Sequence, residues 1–517
     1  MTHSIRVSAA TPARAGLLAL LVVVAGCAPS VPVASASPSP TAVPTGGALR
    51  VVQASDITTL DPWSSHDAAT DLVLRQIYEP LVDLEPGTFR IVPKLAARWA
   101  ISGDGRTYTF TLRSGVRFQD GTPLDAGAVV ASFERGRTLG RLAAFPDLSA
   151  SAADASTVVF TLRAAYAPFL AAVAAPRFAI VSPGCVAHDG SWATAAFSCE
   201  AGTGPFHAEP TTWRPGSITL VRNAGYWGRD ADGHPLPYLD TVTFQSMADD
   251  AARGAAVHNA VADVALDLGP AAIPAVRADP NIAILRRPSA DTSFLGFNVI
   301  APPLSSADVR KAIAMAIDRG AIAQTVFGGD AKVASQLVPP GFIGYDGTIT
   351  EFARYDSAFA KNLLAGAGEG AGFATELWYP ATPSPTLPDP RRVAQAIAAD
   401  LAKVGITAAL HAYDDAPNGA MPLWIQARTA LWADADAFLS DVSGDGVVQA
   451  LLDRARSESD ESKRAELYKQ VTKLLQQQTA RLPLFNATVP IAANKRVRGL
   501  VPQSIVGESF APVWLGR

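Results

Sequence analysis

Residues 93–133 read PKLAARWAISGDGRTYTFTLRSGVRFQDGTPLDAGAVVASF, and this stretch decides the fold. Gly103, Asp104 and Gly105 are turn formers, because Gly and Asp tolerate the backbone conformations that tight turns need. From Thr107 the pattern has period two: Tyr108, Phe110 and Leu112 alternate with Thr107, Thr109, Thr111 and Arg113. That spacing predicts a half-buried strand. Ser114-Gly115 and Asp120-Gly121 add two turns around Val116 and Phe118, and Thr122-Pro123 leads into a run from Ala126 to Phe133 that reads as helix. The segment is built from turn residues and core residues, and it offers a ligand nothing.

Further along, residues 157–163 (TVVFTLR) end in the same Phe-Thr-Leu-Arg as residues 110–113, so two strands of one small sheet are expected there. Residues 47–54 (GALRVVQA) read as the first strand of the folded body. Leu72, Leu74 and Ile77 mark a helix running to Tyr78, and Phe294 to Val299 is an apolar strand. Asp308 opens a helix with Val309, Ile313 and Ile317 on one face. Val393, Ile397, Leu401 and Val404 do the same from Arg391, with Gly405 as the stop. Ser459 to Gln478 is the last long helix, with Asp460 and Glu461 in its first turn.

Residues 93–133 closely resemble the signature of the large solute-binding proteins of ABC importers, the peptide/nickel-type family. That pattern runs P-x-L-A-x-x-W, then D-G, then Y-T-F-x-L-R-x-G-V-x-F-x-D-G-T-P. Further matches are Leu60-Asp61-Pro62, residues 78–82 (YEPLV), residues 202–206 (GTGPF), and Arg222-Asn223 with Tyr226-Trp227. The resemblance covers about residues 47–515. It implies an α/β chain with a two-lobed periplasmic-binding-protein-like fold of type II and an extra subdomain in the first lobe. It also implies hinge closure over a ligand, and delivery to an ABC permease and its ATPase subunits. The expected ligand is a peptide; an oligosaccharide or a metal chelate is the alternative, and a signalling or adhesion lipoprotein is a second one. The expected boundaries are a first lobe over 47–298 with its subdomain at about 83–200, a second lobe over 299–490, and a return over 491–517. Gly204, Pro205, Phe297 and Asn298 are expected at the hinge and crossing strands.

The resemblance also supplies site residues. Trp432-Ala433-Asp434 before Phe438-Leu439 is similar to the family's W-x-A-D-Y-x-x-P-x-x-F-L. In peptide-binding members that aspartate pairs with the ligand's free amino group, and the tryptophan beside it can stack on the ligand. Here the Tyr and Pro are missing, Ala435-Asp436-Ala437 stand in their place, and the spacing is one residue shorter. Dipeptide-binding relatives hold the ligand carboxylate with an arginine in the loop before the helix that starts here at Arg391. Residues 379–390 hold no Arg or Lys; Arg391 and Arg392 stand next to that loop, expected to open the helix and face solvent, and Arg391 is kept as the candidate.

Arg6 and Arg14 flank a short charge-poor region, and Leu17 to Ala25 after them is an apolar run too short to span a bilayer but suited to a signal peptide, expected over 1–26. Val24-Ala25-Gly26-Cys27 resembles a lipobox, which makes Cys27 the expected lipidation site. Residues 27–46 are rich in Pro, Ser, Ala and Thr and read as an extended tether. The expected address is the outer face of the bacterial cytoplasmic membrane, held through the lipid. Of three cysteines, Cys185 and Cys199 then remain as an even pair, bridged in an oxidising compartment or else reduced in the core.

The chain has 517 residues, too many for one core, so two or three domains are expected. A net charge of −4 does not suit a nucleic-acid binder. The seven histidines are scattered without a metal-ligand pair. Residues 441–446 (DVSGDG) open like a calcium loop, but Leu452 stands where a bidentate Glu is required. No nucleophile motif or phosphate cradle is present. The expectation is a monomeric binding protein without cofactor, metal or catalysis.

Overall fold

The computed structural model describes residues 43–516 except 144, 146, 187–201, 351, 415–419 and 443–445. The expected signal peptide, Cys27, most of the tether and Cys199 lie outside the described residues.

Of the five sheets among the described residues, three organise the chain. The first has seven strands, in the order Ile282–Arg286, Pro490–Asn494, Val264–Ala265, Ala48–Gln53, Thr241–Ser246, Ser217–Arg222 and Phe206–Ala208. Ala48–Gln53 lies in the middle, parallel to both neighbours, with Leu49, Val51 and Val52 buried, as a strand covered on both faces must be. The second sheet has six strands, in the order Ala331–Val333, Arg481–Ala487, Asp291–Phe297, Leu423–Thr429, Phe373–Pro380 and Ile406–Tyr413.

The third sheet is small and antiparallel: Ala96–Ile101, Thr107–Leu112, Thr157–Thr161 and Ser149–Asp154. The period-two reading holds residue by residue, with Tyr108, Phe110 and Leu112 buried and the threonines between them half-buried. The strand at 157–161 pairs with the strand at 107–112, as the repeated Phe-Thr-Leu-Arg suggested. Edge-to-face rings fill the space behind: Phe110 on Phe160 at 5.6 Å, Phe133 on Phe160 at 4.6 Å, Tyr108 on Phe169 at 4.9 Å. The helix Ala126–Thr138 starts where Asp125 accepts from the Ala128 amide at 2.8 Å. Gly136 in that helix faces Trp63 so closely that a Cβ would stand 2.1 Å from the ring.

The chain passes between the two large sheets twice, at 287–290 and at 488–489. The Arg287 amide donates to the Val489 carbonyl at 3.2 Å, so the passages are bonded to each other. None of the four residues expected at the crossing lies in it. The strand Asp291–Phe297 pairs entirely within the second sheet and is buried along its whole length. Phe297 ends it in the core, and the Asn298 amide donates to Pro422 at 2.9 Å. Its apolar run marks a central strand, which a connector resembles in sequence. Gly204 and Pro205 lie in the first lobe, where the Gly204 amide donates to the Ile77 carbonyl at 2.9 Å. A Cβ on Gly204 would come within 2.6 Å of two carbonyl oxygens, so glycine serves close packing there.

Candidate functional site

Charges gather at the joint. Arg287 donates through Nε and Nη2 to the two oxygens of Glu508 at 2.6 and 2.8 Å, and through Nη1 to Asp267. The Glu508 side chain is fully buried, so this bidentate clasp is what keeps its charge tolerable. Asp267 holds φ at 53°, a left-handed conformation uncommon for a residue with a side chain. Beside them Asp291 accepts from Thr429, and burial pushes its carboxyl up to about 7, against the opposing hydrogen bonds of Thr429 and Thr386.

Next to this cluster is a cavity of about 170 Å³ lined by both lobes. Asp71, Arg177, Asp267 and Arg287 bring charge of both signs to its first-lobe side, with His66 beside them, and Thr429, Ala430 and Leu431 form the second-lobe side. Arg177 reaches Asp71 at 3.2 Å, whose other oxygen accepts from Ser65 at 2.6 Å. Arg141 donates to His66 at 2.7 Å. A space between two bodies that sheds water as they close strengthens every ionic contact made inside it.

A larger chamber of about 490 Å³ lies between the small sheet and the second lobe. Phe89, Ile91, Trp99, Ile101, Leu170 and Ile343 make it apolar, with Arg464 and Glu461 at its polar side. Trp99 and Ile101 belong to the stretch expected to offer a ligand nothing. They sit on the edge strand of the small sheet, and which face such a strand turns to a neighbouring lobe has no local sequence signal.

The segment 429–433 runs between the two cavities, but neither Trp432 nor Asp434 borders either of them. Asp434 is 1% exposed. Its Oδ1 accepts from the Tyr468 hydroxyl at 2.7 Å and the Asp436 amide at 3.0 Å, and its Oδ2 lies 3.5 Å from Arg464 Nε. Burial raises the Asp434 carboxyl from its ordinary value, with Arg464 opposing. The expected partner of a ligand ammonium is thus turned inward, onto the helix Glu461–Gln478. Two residues on, Asp436 accepts from Tyr166 of the first lobe at 3.1 Å and from Arg456 at 2.8 Å, which ties the segment to the side of the small sheet. Trp432 is half-buried against the first-lobe core, with its Nε1 buried and unpartnered. Arg391 is exposed in the first turn of the helix Pro390–Ala402 and borders neither cavity.

Cys185 is buried and disulfide-bonded; Cys199 lies outside the described residues. Asp441 receives Arg428 and Arg481, the latter at 3.0 Å, so the acid that opens the calcium-like stretch is committed to ion pairs. Asp230, Asp232 and His234 place ligand atoms within 4.8 Å of one another in a loop, but Asp230 is already taken by Tyr238, His234 and two amides. Among the described residues no helix is long and apolar enough to cross a membrane.

Two sheet-centred lobes, a joint of two short passages and a charged cavity between the lobes define a two-lobed solute-binding protein of the type II periplasmic class. The chain belongs to family 5 of the bacterial extracellular solute-binding proteins, whose middle-region model matches residues 90–449. It is 30% identical over 488 residues to the dipeptide-binding protein of Escherichia coli (strain K12), covering 84% of this chain and 88% of that one. HbpA2 from Haemophilus parasuis superposes with a TM-score of 0.82 at 28% identity, over 91% of this chain and 100% of that one. The periplasmic binding protein DppA from Helicobacter pylori, solved in complex with the peptide STSA, superposes with a TM-score of 0.72 at 26% identity, over 92% and 99%.

Proposed function

We propose that this protein captures a short peptide between its lobes and hands it to an ABC import permease powered by separate ATPase subunits. The observation that carries the reading is the cavity at the joint, where Asp71, Arg177, Asp267 and Arg287 offer charge of both signs to one small space. A peptide with free ends is a zwitterion, and such a space suits it better than it suits a neutral sugar. Two relatives point the same way, one named a dipeptide-binding protein and one solved with a bound peptide. The ligand acts by differential affinity: contacts to both lobes exist together only when the lobes close, so binding shifts the population toward the closed form. In this reading the lobes divide at the two passages, and a lipid on Cys27 holds the body at the outer face of the cytoplasmic membrane through the tether.

Thermal unfolding of the soluble body against peptide, oligosaccharide and metal-chelate libraries tests the ligand class. A ligand at about 100 times its Kd adds about 2.7 kcal/mol of stability. Stabilisation by sugars or chelates and not by peptides would overturn the reading.

A further inference from the structure

We propose that Arg177, in the first lobe, binds the carboxylate end of the ligand; this rests on the peptide reading above. Three arginine–aspartate pairs of the first lobe allow a comparison. Arg135 meets Asp61 through two hydrogen bonds, at 2.9 and 2.7 Å, and Arg75 meets Asp83 through two, both 3.0 Å. Arg177 makes one, at 3.2 Å, and its Nε is buried without a partner. Its side chain is 32% exposed, where those of Arg75 and Arg135 are 9% and 8%. Arg287, the other arginine of the cavity, spends its donors on Glu508 and Asp267. Arg177 is therefore the cavity's arginine with donors to spare, and a planar guanidinium whose donors are not all spent suits a carboxylate.

Its surroundings agree. Arg177 is the middle residue of the tight turn Pro176–Phe178, whose flanking Pro176 and Phe178 are buried, so the backbone beneath it is fixed. Asp71 competes weakly, since burial raises its carboxyl and one of its oxygens is committed to Ser65. The second-lobe loop over 381–389 offers no Arg or Lys as a rival.

The test uses an equimolar pool of di- to tetrapeptides with free C-termini, and the same pool as C-terminal amides, titrated into the mature protein. The wild type should bind the acid pool about ten- to a hundredfold more tightly than the amide pool, and Arg177→Gln should erase that preference. Arg177→Lys keeps the charge without the fork and should retain part of the preference; if Arg177→Gln does not fold, this variant carries the comparison. Equal binding of both pools by the wild type overturns the Arg177 assignment and leaves the peptide reading standing. So does an undiminished preference in the variants. Binding of neither pool by the wild type overturns both.

Discussion

Glu508 closes both its oxygens on Arg287 although 221 residues separate the two in the chain. The pair joins a passage between the lobes to a late segment of the chain, and its acid is fully buried. Arg287→Met should cost about 3–5 kcal/mol, because it leaves Glu508 charged without a partner. Adding Glu508→Gln should recover a large part of that loss. Thermal melts of the two single variants and the double variant check this; additive losses would mean the two residues are not coupled.

Asp291 gives the protein a pH signature. Its folded pKa of about 7 stands above the ordinary 3.8, so between about pH 4 and 7 the folded state holds a proton that the unfolded chain has lost. The contribution of this group to stability is present below about pH 4, falls as pH rises, and levels off above about pH 7. Asp291→Asn lacks it. The stability of the wild type relative to this variant should fall by up to roughly 4 kcal/mol across that window. A difference independent of pH would show that Asp291 titrates normally in the fold.

Asp434→Asn keeps the shape of the side chain that accepts from Tyr468 and removes the charge facing Arg464. A stability loss of about 1–3 kcal/mol is expected, with peptide affinity changed by less than about threefold. Trp432→Ala, by contrast, should weaken binding, since it removes packing that forms only where the two lobes meet. Calorimetry decides. An affinity loss of ten- to a hundredfold in Asp434→Asn, confined to peptides with a free amino end, would return this residue to the ligand.

Cys185 is disulfide-bonded, and Cys199 is its expected partner. Mass spectrometry of freshly purified, unreduced protein should recover the two cysteines in one cross-linked peptide. Reduction should lower stability by on the order of 3 kcal/mol, the chain-entropy value for a closed loop of about 15 residues. A free thiol on Cys199 would remove the pairing.

Cys27→Ser should release the protein from the membrane fraction and change its mature mass. A variant that stays with membranes at an unchanged mass would end the lipid-anchor reading.

The fold was legible where burial is one-sided. Thr107–Leu112 buries every second residue, and that pattern is written locally. The passages between the lobes were not legible. They are short, and the strand beside them, Asp291–Phe297, is buried on both faces, so its sequence does not say which sheet it joins. The charged cavity was missed for another reason. Asp71, Arg177, Asp267, Arg287 and Glu508 come from distant segments and have no common spacing, so only the folded chain brings them together. Trp432-Ala433-Asp434 was legible as a motif, but its setting depends on Arg464 and Tyr468, which the motif does not contain.

The hydrogen bond between the Arg287 amide and the Val489 carbonyl uses atoms that nearly every amino acid possesses. Side chains at the articulation can drift without altering how the halves are strung together, provided proline does not replace the donor.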